Sequence, residues 1–133
     1  TALAEDEILT EIRIPSPPSA SGGAYLKIER KVGDYAAAAV ACQLNIDSSG
    51  SIVNIGLGLT NVGSTPIRAS SAEELLKGKK PDENMLAEAG RLAAADSEPM
   101  EDLRGSAEYK RALVNELTQR AIKLSLQRAE GSR

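Results

Sequence analysis

Two cations, a glycine, a carboxylate and an aromatic are concentrated in Arg30-Lys31-Val32-Gly33-Asp34-Tyr35. Those types suit a flat ligand with anionic character. The Tyr35 ring can cover an aromatic plane by stacking, Asp34 can accept from ring or sugar donors, and Lys31 or Arg30 can offset an anionic phosphate. Loops carried on a rigid scaffold are where ligands are met. The competing reading is that charges at a strand junction are solvated and do nothing more.

Other chemistry is sparse. There is no histidine and a single cysteine, Cys42, which removes disulfide frameworks, the usual zinc ligand sets and any histidine-based triad. Cys42 lies on the bulky side of a strand with no cation placed to activate it and reads as a small buried hydrophobe. Gly56-Leu57-Gly58 has two glycines of a dinucleotide fingerprint but sits mid-strand, without the third glycine or the following helix. Gly63-Ser64-Thr65-Pro66 lacks the Gly-Lys-Ser/Thr ending of a phosphate loop and reads as a turn. Asp102-Leu103-Arg104-Gly105-Ser106 places an acid and a base two apart, a pattern that pins loops more often than it reacts. A small hydrolase would need a nucleophile and a base that this inventory does not provide.

The elements that must position the Arg30–Tyr35 loop are strands followed by helices. Residues 8 to 14 are β-branched and stopped by Pro15, which predicts a strand, and the Pro-Ser-Pro-Pro-Ser run after it predicts a loop. Residues 24 to 30 predict a second strand, with Ala24, Leu26 and Ile28 on one face and Tyr25, Lys27 and Glu29 on the other. From 37 to 46, Ala38, Val40, Cys42, Leu44 and Ile46 alternate with Ala37, Ala39, Ala41, Gln43 and Asn45. After the turn Asp47-Ser48-Ser49-Gly50, Val53, Ile55, Leu57 and Leu59 resume the pattern, so the pair predicts an antiparallel hairpin. One side of it is bulky and aliphatic. The other is alanine and glycine at every second position, thin enough for another surface to come close.

Helices are expected after Pro66. Ser71 and Glu74 have capping-box spacing for a helix over 72 to 77 ending at Gly78. Asp82 caps a second in which Leu86, Ala89 and Ala93 recur, running to Pro99. Ser106 caps a third, with a core stripe of Tyr109, Leu113, Leu117, Ala121 and Leu124, Lys110 beside it, and fraying from Ala129. The fold class is therefore α+β, an antiparallel sheet of three to four strands followed by about three helices packed on one face.

At 133 residues the chain has the size of one domain. Aromatics are only 2% of it, so aliphatic side chains must build the core. A net charge of −3 with acids and bases in mixed order offers no continuous basic face for nucleic acid. No apolar run approaches the roughly 18 to 20 residues of a membrane span, and no secretory signal is seen, so the expected location is cytoplasmic. The chain starts at Thr1 and runs directly into a strand-like segment, which suggests a piece of a longer polypeptide.

Several stretches, in order and at matching spacing over nearly the whole chain, resemble the FAD-binding medium subunit of molybdenum hydroxylases, the xanthine oxidase and aerobic carbon monoxide dehydrogenase family. Glu7-Ile8-Leu9-Thr10-Glu11-Ile12-Arg13-Ile14-Pro15 is similar to the close of that subunit's FAD domain, and Lys31-Val32-Gly33-Asp34-Tyr35-Ala36 to its flavin-reaching loop. Gly58-Leu59-Thr60-Asn61-Val62 with Thr65-Pro66-Ile67-Arg68-Ala69 resembles its central strand and turn, and Asp102 to Arg111 its signature before the final helix. The Gly-Asp-Tyr stretch before an alanine-rich strand, and the Leu-Thr-Asn turn, place the resemblance nearest the carbon monoxide dehydrogenase branch.

The resemblance implies that residues 1–15 are the tail of a preceding FAD domain and residues 16–133 the C-terminal domain of a flavoprotein subunit. It implies an oxidoreductase of several subunits, with a molybdenum cofactor on a large one, 2Fe-2S clusters on a small one and FAD on the medium one, the isolated chain being inactive. Tyr35 would lie over the isoalloxazine with Asp34 and Lys31 beside it and Lys27 carried over with them; no residue here is expected to be catalytic. The glycine-rich segments that hold the FAD pyrophosphate in this family are not in the chain, so weak or no FAD binding by the chain alone is expected. The alternative is a cofactor-free protein interaction module docking through the alanine and glycine face.

Overall fold

A computed structural model describes residues 3–132. Four strands form one antiparallel sheet in the order β1-β2-β3-β4, with β1 at Ser21–Ile28, β2 at Ala38–Ile46, β3 at Ile52–Thr60 and the two-residue β4 at Ile67–Arg68. Three helices follow, α1 (Ser70–Leu76), α2 (Glu83–Asp96) and α3 (Ala107–Gly131). The α+β expectation holds. The long helix α3 lies across β1 and β2, α1 lies against β3, and α2 packs on both α1 and α3.

The core is the aliphatic side of the hairpin, where Val40, Leu44, Leu57 and Leu59 meet Leu76, Val114 and Ile122, all essentially inaccessible. With so few aromatics, close approach replaces bulk. A Cβ on Gly22 would lie inside the carbonyl oxygen of Ser125 and 2.6 Å from the nitrogen of Ala129, so α3 rests directly on the β1 backbone. Gly90 does the same for α2, where a Cβ would lie 2.6 Å from the Asn115 carbonyl oxygen. The opposite face, carrying Gly23, Tyr25, Ala41, Gln43, Gly56 and Gly58, forms an open hollow of ≈ 570 Å³ that among the described helix residues only Arg128 of α3 lines.

Several local expectations are corrected. Residues 8 to 14 form no strand; they run as an irregular segment with Ile8 84% and Ile14 88% exposed, paired with none of the described strands. The strand expected over 24 to 30 begins earlier, at Ser21, and ends at Ile28. Val53 points outward and Ile52 is buried, since a bulge pairs Ile46 with Ile52 directly after Asn45 with Asn54 and leaves Val53 as the extra residue.

Helix ends are equally informative. Asp82 and Ser106 cap α2 and α3 by accepting from the N–H groups of Met85 and Tyr109. The Ser71–Glu74 capping box does not form. Ser71 instead donates its N–H and hydroxyl to the Asp96 carboxylate at 3.2 and 2.9 Å, so the last residue of α2, which stops short of Pro99, caps the first turn of α1. In α3 the buried stripe runs through Lys110, Val114, Leu117, Thr118, Ala121, Ile122, Ser125 and Ala129. Tyr109 is half exposed and Ala129 fully buried, the reverse of expectation, because the small residues Ser125 and Ala129 are what allow α3 to touch Gly22.

Candidate functional site

The loop between β1 and β2 is closed at its base by the Ala37 N–H donating to the Ile28 carbonyl at 2.7 Å. Within it the Asp34 N–H donates to the Lys31 carbonyl at 3.1 Å, and Gly33 takes a φ of +85°, a left-handed conformation that glycine adopts without strain. This tight turn lifts Val32 and Tyr35 into solvent, 97% and 81% exposed.

Asp34 is the hub beneath them. Its Oδ1 accepts the Tyr35 N–H at 2.8 Å and its Oδ2 accepts Arg30 Nε at 3.2 Å, while the Arg104 guanidinium stands 3.6 Å away. The Tyr35 N–H, then Arg30 and Arg104, hold the Asp34 carboxyl below the usual carboxylate range against partial desolvation. Arg104 also lies over the Tyr35 ring, 5.5 Å from its centroid, within cation–π range.

On the side of the open face, a hollow of ≈ 270 Å³ is lined by Tyr25, Lys27, Asp34, Tyr35, Thr60 and Asn61. Three of the four residues singled out by the sequence, Lys27, Asp34 and Tyr35, therefore share one depression. Lys27 reaches it paired with Glu29 at 2.5 Å, which raises the lysine pKa and keeps it cationic. Lys31 does not line it; its side chain is exposed and its contribution here is the backbone turn.

Two residues that complete the site were not singled out. Asn61, at φ +63°, donates its side-chain amide to the carbonyls of Ala36 and Ala37, the latter at 3.2 Å, and so ties the end of the loop to the end of β3. An asparagine directly after a strand was the available signal, since asparagine tolerates the left-handed region. Asn61→Ala is expected to lose about 1–2 kcal/mol in urea denaturation. Asn61→Gly should recover only the backbone share of that loss. Arg104 had no local signal for its role, because its partners lie far back in the chain.

The Asp102–Gly105 loop is pinned as expected, but by Lys110 and not by Arg104. The Lys110 ammonium, on a buried side chain, donates to the Asp102 carboxylate at 2.8 Å and to the Met100 carbonyl at 3.0 Å. Asp102 in turn accepts the Arg104 N–H at 2.8 Å, and Asp102 and Gly105 exchange backbone hydrogen bonds. Among the described residues no cluster of His, Cys, Asp or Glu is arranged to hold a metal, and no helix is long and apolar enough to cross a membrane. Burial pushes the Cys42 thiol up to about 11, so it is an inert core residue.

The arrangement offers two accessible aromatic rings at one shallow depression, Tyr25 on β1 and the more exposed Tyr35, the latter on a loop braced by a carboxylate and two guanidinium groups. The depression is open to solvent, with the exposed Tyr35 ring at its edge. The chain belongs to the family of the CO dehydrogenase flavoprotein C-terminal domain, whose model matches residues 23–124.

The carbon monoxide dehydrogenase medium chain of Afipia carboxidovorans is 43% identical over 98% of this chain and 45% of its own length. The nicotine 6-hydroxylase medium subunit of Paenarthrobacter nicotinovorans is 39% identical over 92% of this chain and 42% of its own length. Among solved structures, carbon monoxide dehydrogenase from Hydrogenophaga pseudoflava, in a form lacking the Mo-pyranopterin moiety, superimposes with a TM-score of 0.90 and 40% identity. That match covers 96% of this chain and 44% of the other. The chain thus spans less than half the length of these relatives.

Proposed function

We propose that this chain is the C-terminal part of the FAD-carrying medium subunit of a molybdenum-containing dehydrogenase, carbon monoxide dehydrogenase in the first instance. In this reading its Tyr35 loop caps the isoalloxazine of FAD held by the preceding domain, of which residues 1–15 are the tail. The carrying observation is the 81% exposed Tyr35 ring on a loop that Asp34 braces from beneath. An aromatic left in water at a fixed position gains by stacking on a flat partner. Bound FAD supplies the capacity to take up electrons arriving from the iron–sulfur clusters of a small subunit and pass them on. The residues here act by position: Tyr35 covers the ring, Asp34 and the Lys31 carbonyl that accepts its N–H keep the loop in register, and Lys27 adds a cation to the depression beside the ring.

The substrate is met on the molybdenum-bearing large subunit in this reading. The similar identity to a carbon monoxide dehydrogenase chain and a nicotine 6-hydroxylase subunit is expected of a domain that serves the flavin and not the substrate. The open alanine and glycine face provides for docking of the FAD domain or a partner subunit, and Ile8, Ile12 and Ile14, exposed here, would be covered by the FAD domain. A lone buried cysteine fits work in the cytoplasm.

Equilibrium dialysis of this chain against FAD should give no saturable binding. Adding the FAD domain should bring the two together and shift the flavin absorbance. Saturable FAD binding by the chain alone would contradict the reading that the preceding domain holds the cofactor, and a flavin indifferent to the mixture would favour the cofactor-free docking module instead.

A further inference from the structure

We propose that Arg104 is a positioning residue for the aromatic cap, and that it transmits the rigidity of α3 to the Tyr35 loop through Lys110, Asp102 and Asp34. The proposal rests on the reading that Tyr35 covers the flavin. The Tyr35 loop is closed at its base by Ala37 and the Asn61 clamp and braced within itself by Arg30, but its tip, Val32 and Gly33, is open, with nothing within 4 Å of where a Gly33 Cβ would lie. Such a loop holds one ring orientation only if something outside it holds Asp34 or Tyr35.

Arg104 touches both, at 3.6 Å from the Asp34 carboxylate and 5.5 Å from the Tyr35 centroid. Its Nε–H has no hydrogen-bond partner among the described residues, and its guanidinium reaches the other loop at Asp34 and Tyr35. Its backbone, by contrast, is fixed. The Arg104 N–H is held by Asp102, and Asp102 by the Lys110 ammonium, which rises from the buried side of α3. Gly105 lies close beside the Tyr109 ring, where a Cβ would lie 2.6 Å from Cδ1. The result is a continuous series of contacts from the core helix to the exposed ring, built from segments some seventy residues apart in sequence.

The test uses the full-length FAD-containing subunit in its assembled enzyme, with Arg104→Met, Arg104→Lys, Tyr35→Ala and the double variant Arg104→Met/Tyr35→Ala. The first readout is independent of flavin: hydrogen exchange of the amides of residues 31 to 36. Arg104→Met should speed exchange at Tyr35 about three- to tenfold, the scale of one exposed cation–π contact plus one partly exposed ion pair. Arg104→Lys, which keeps the charge, should restore part of the protection.

The second readout is flavin fluorescence, which a stacked tyrosine quenches. Arg104→Met should raise it toward the Tyr35→Ala level, and the double variant should add nothing to Tyr35→Ala. Unchanged exchange in Arg104→Met overturns the positioning role. Faster exchange in Arg104→Met with fluorescence that Tyr35→Ala leaves unmoved would keep the loop-holding role and sink the flavin reading beneath it. Fluorescence that responds to Tyr35→Ala and not to Arg104→Met would do the opposite.

Discussion

Gly22→Ala is expected to destabilise the domain by about 3 kcal/mol, seen as a fall of roughly 10 °C in the thermal midpoint. The added methyl would have to occupy space held by the Ser125 carbonyl and the Ala129 nitrogen, both backbone atoms of α3. Backbone cannot swing aside as a side chain can, so either α3 lifts off β1 or the strand bends. Lifting α3 would loosen the packing of Ala121 and Ile122 as well, and the loss should appear in circular dichroism melts of the chain itself. An unchanged midpoint would mean that α3 does not rest on β1 at this distance.

Glu73→Ala should cost about as much, near 3 kcal/mol, for a different reason. Glu73 is a buried carboxylate that accepts the Leu57 N–H at 2.8 Å and the Arg68 guanidinium at 2.8 and 3.0 Å. It stands in where the two-residue β4 is too short to continue the ladder along β3. Truncation strands the buried Leu57 N–H, while the Arg68 side chain, 74% exposed, passes to water. Glu73→Gln keeps an acceptor for Leu57 and should lose only about 1 kcal/mol, so the separation between the two variants in urea denaturation isolates the carbonyl-like acceptor from the charge. Equal losses would show that the ion pair with Arg68 carries the effect.

The general plan was legible because alternation and capping are local. Ala38 to Ile46 can bury one face only as a strand, and Asp82 and Ser106 stand where an N-cap must. What was not legible depends on partners distant in sequence. Ser71 and Glu74 have the spacing of a capping box, yet Asp96 from the next helix supplies the cap and leaves Glu74 exposed. The bulge that turns Val53 outward is set by the Asp47 turn, whose carboxylate gathers the N–H groups of Ser49 and Ser51. Residues 8 to 14 have strand composition but pair with none of the described strands, and composition cannot say whether a partner lies alongside.

The candidate site divides the same way. Asp34 and Tyr35 stood out because their types are unusual together in one short loop. Arg104 is one of many surface arginines by composition, and only the fold shows that its guanidinium reaches back to Asp34 and Tyr35. The resemblance supplied the role of the loop; the geometry supplies a reason it can be held still.

The central claim is that this domain contributes Tyr35 as a cover for the flavin. The most direct measurement is flavin fluorescence of the assembled subunit with and without Tyr35→Ala, at equal FAD occupancy. The account predicts a rise of roughly several-fold as the stacked aromatic is removed, with the melting midpoint of this chain by itself unchanged because the Tyr35 side chain is exposed in it. Fluorescence and absorbance identical to the parent protein would contradict it.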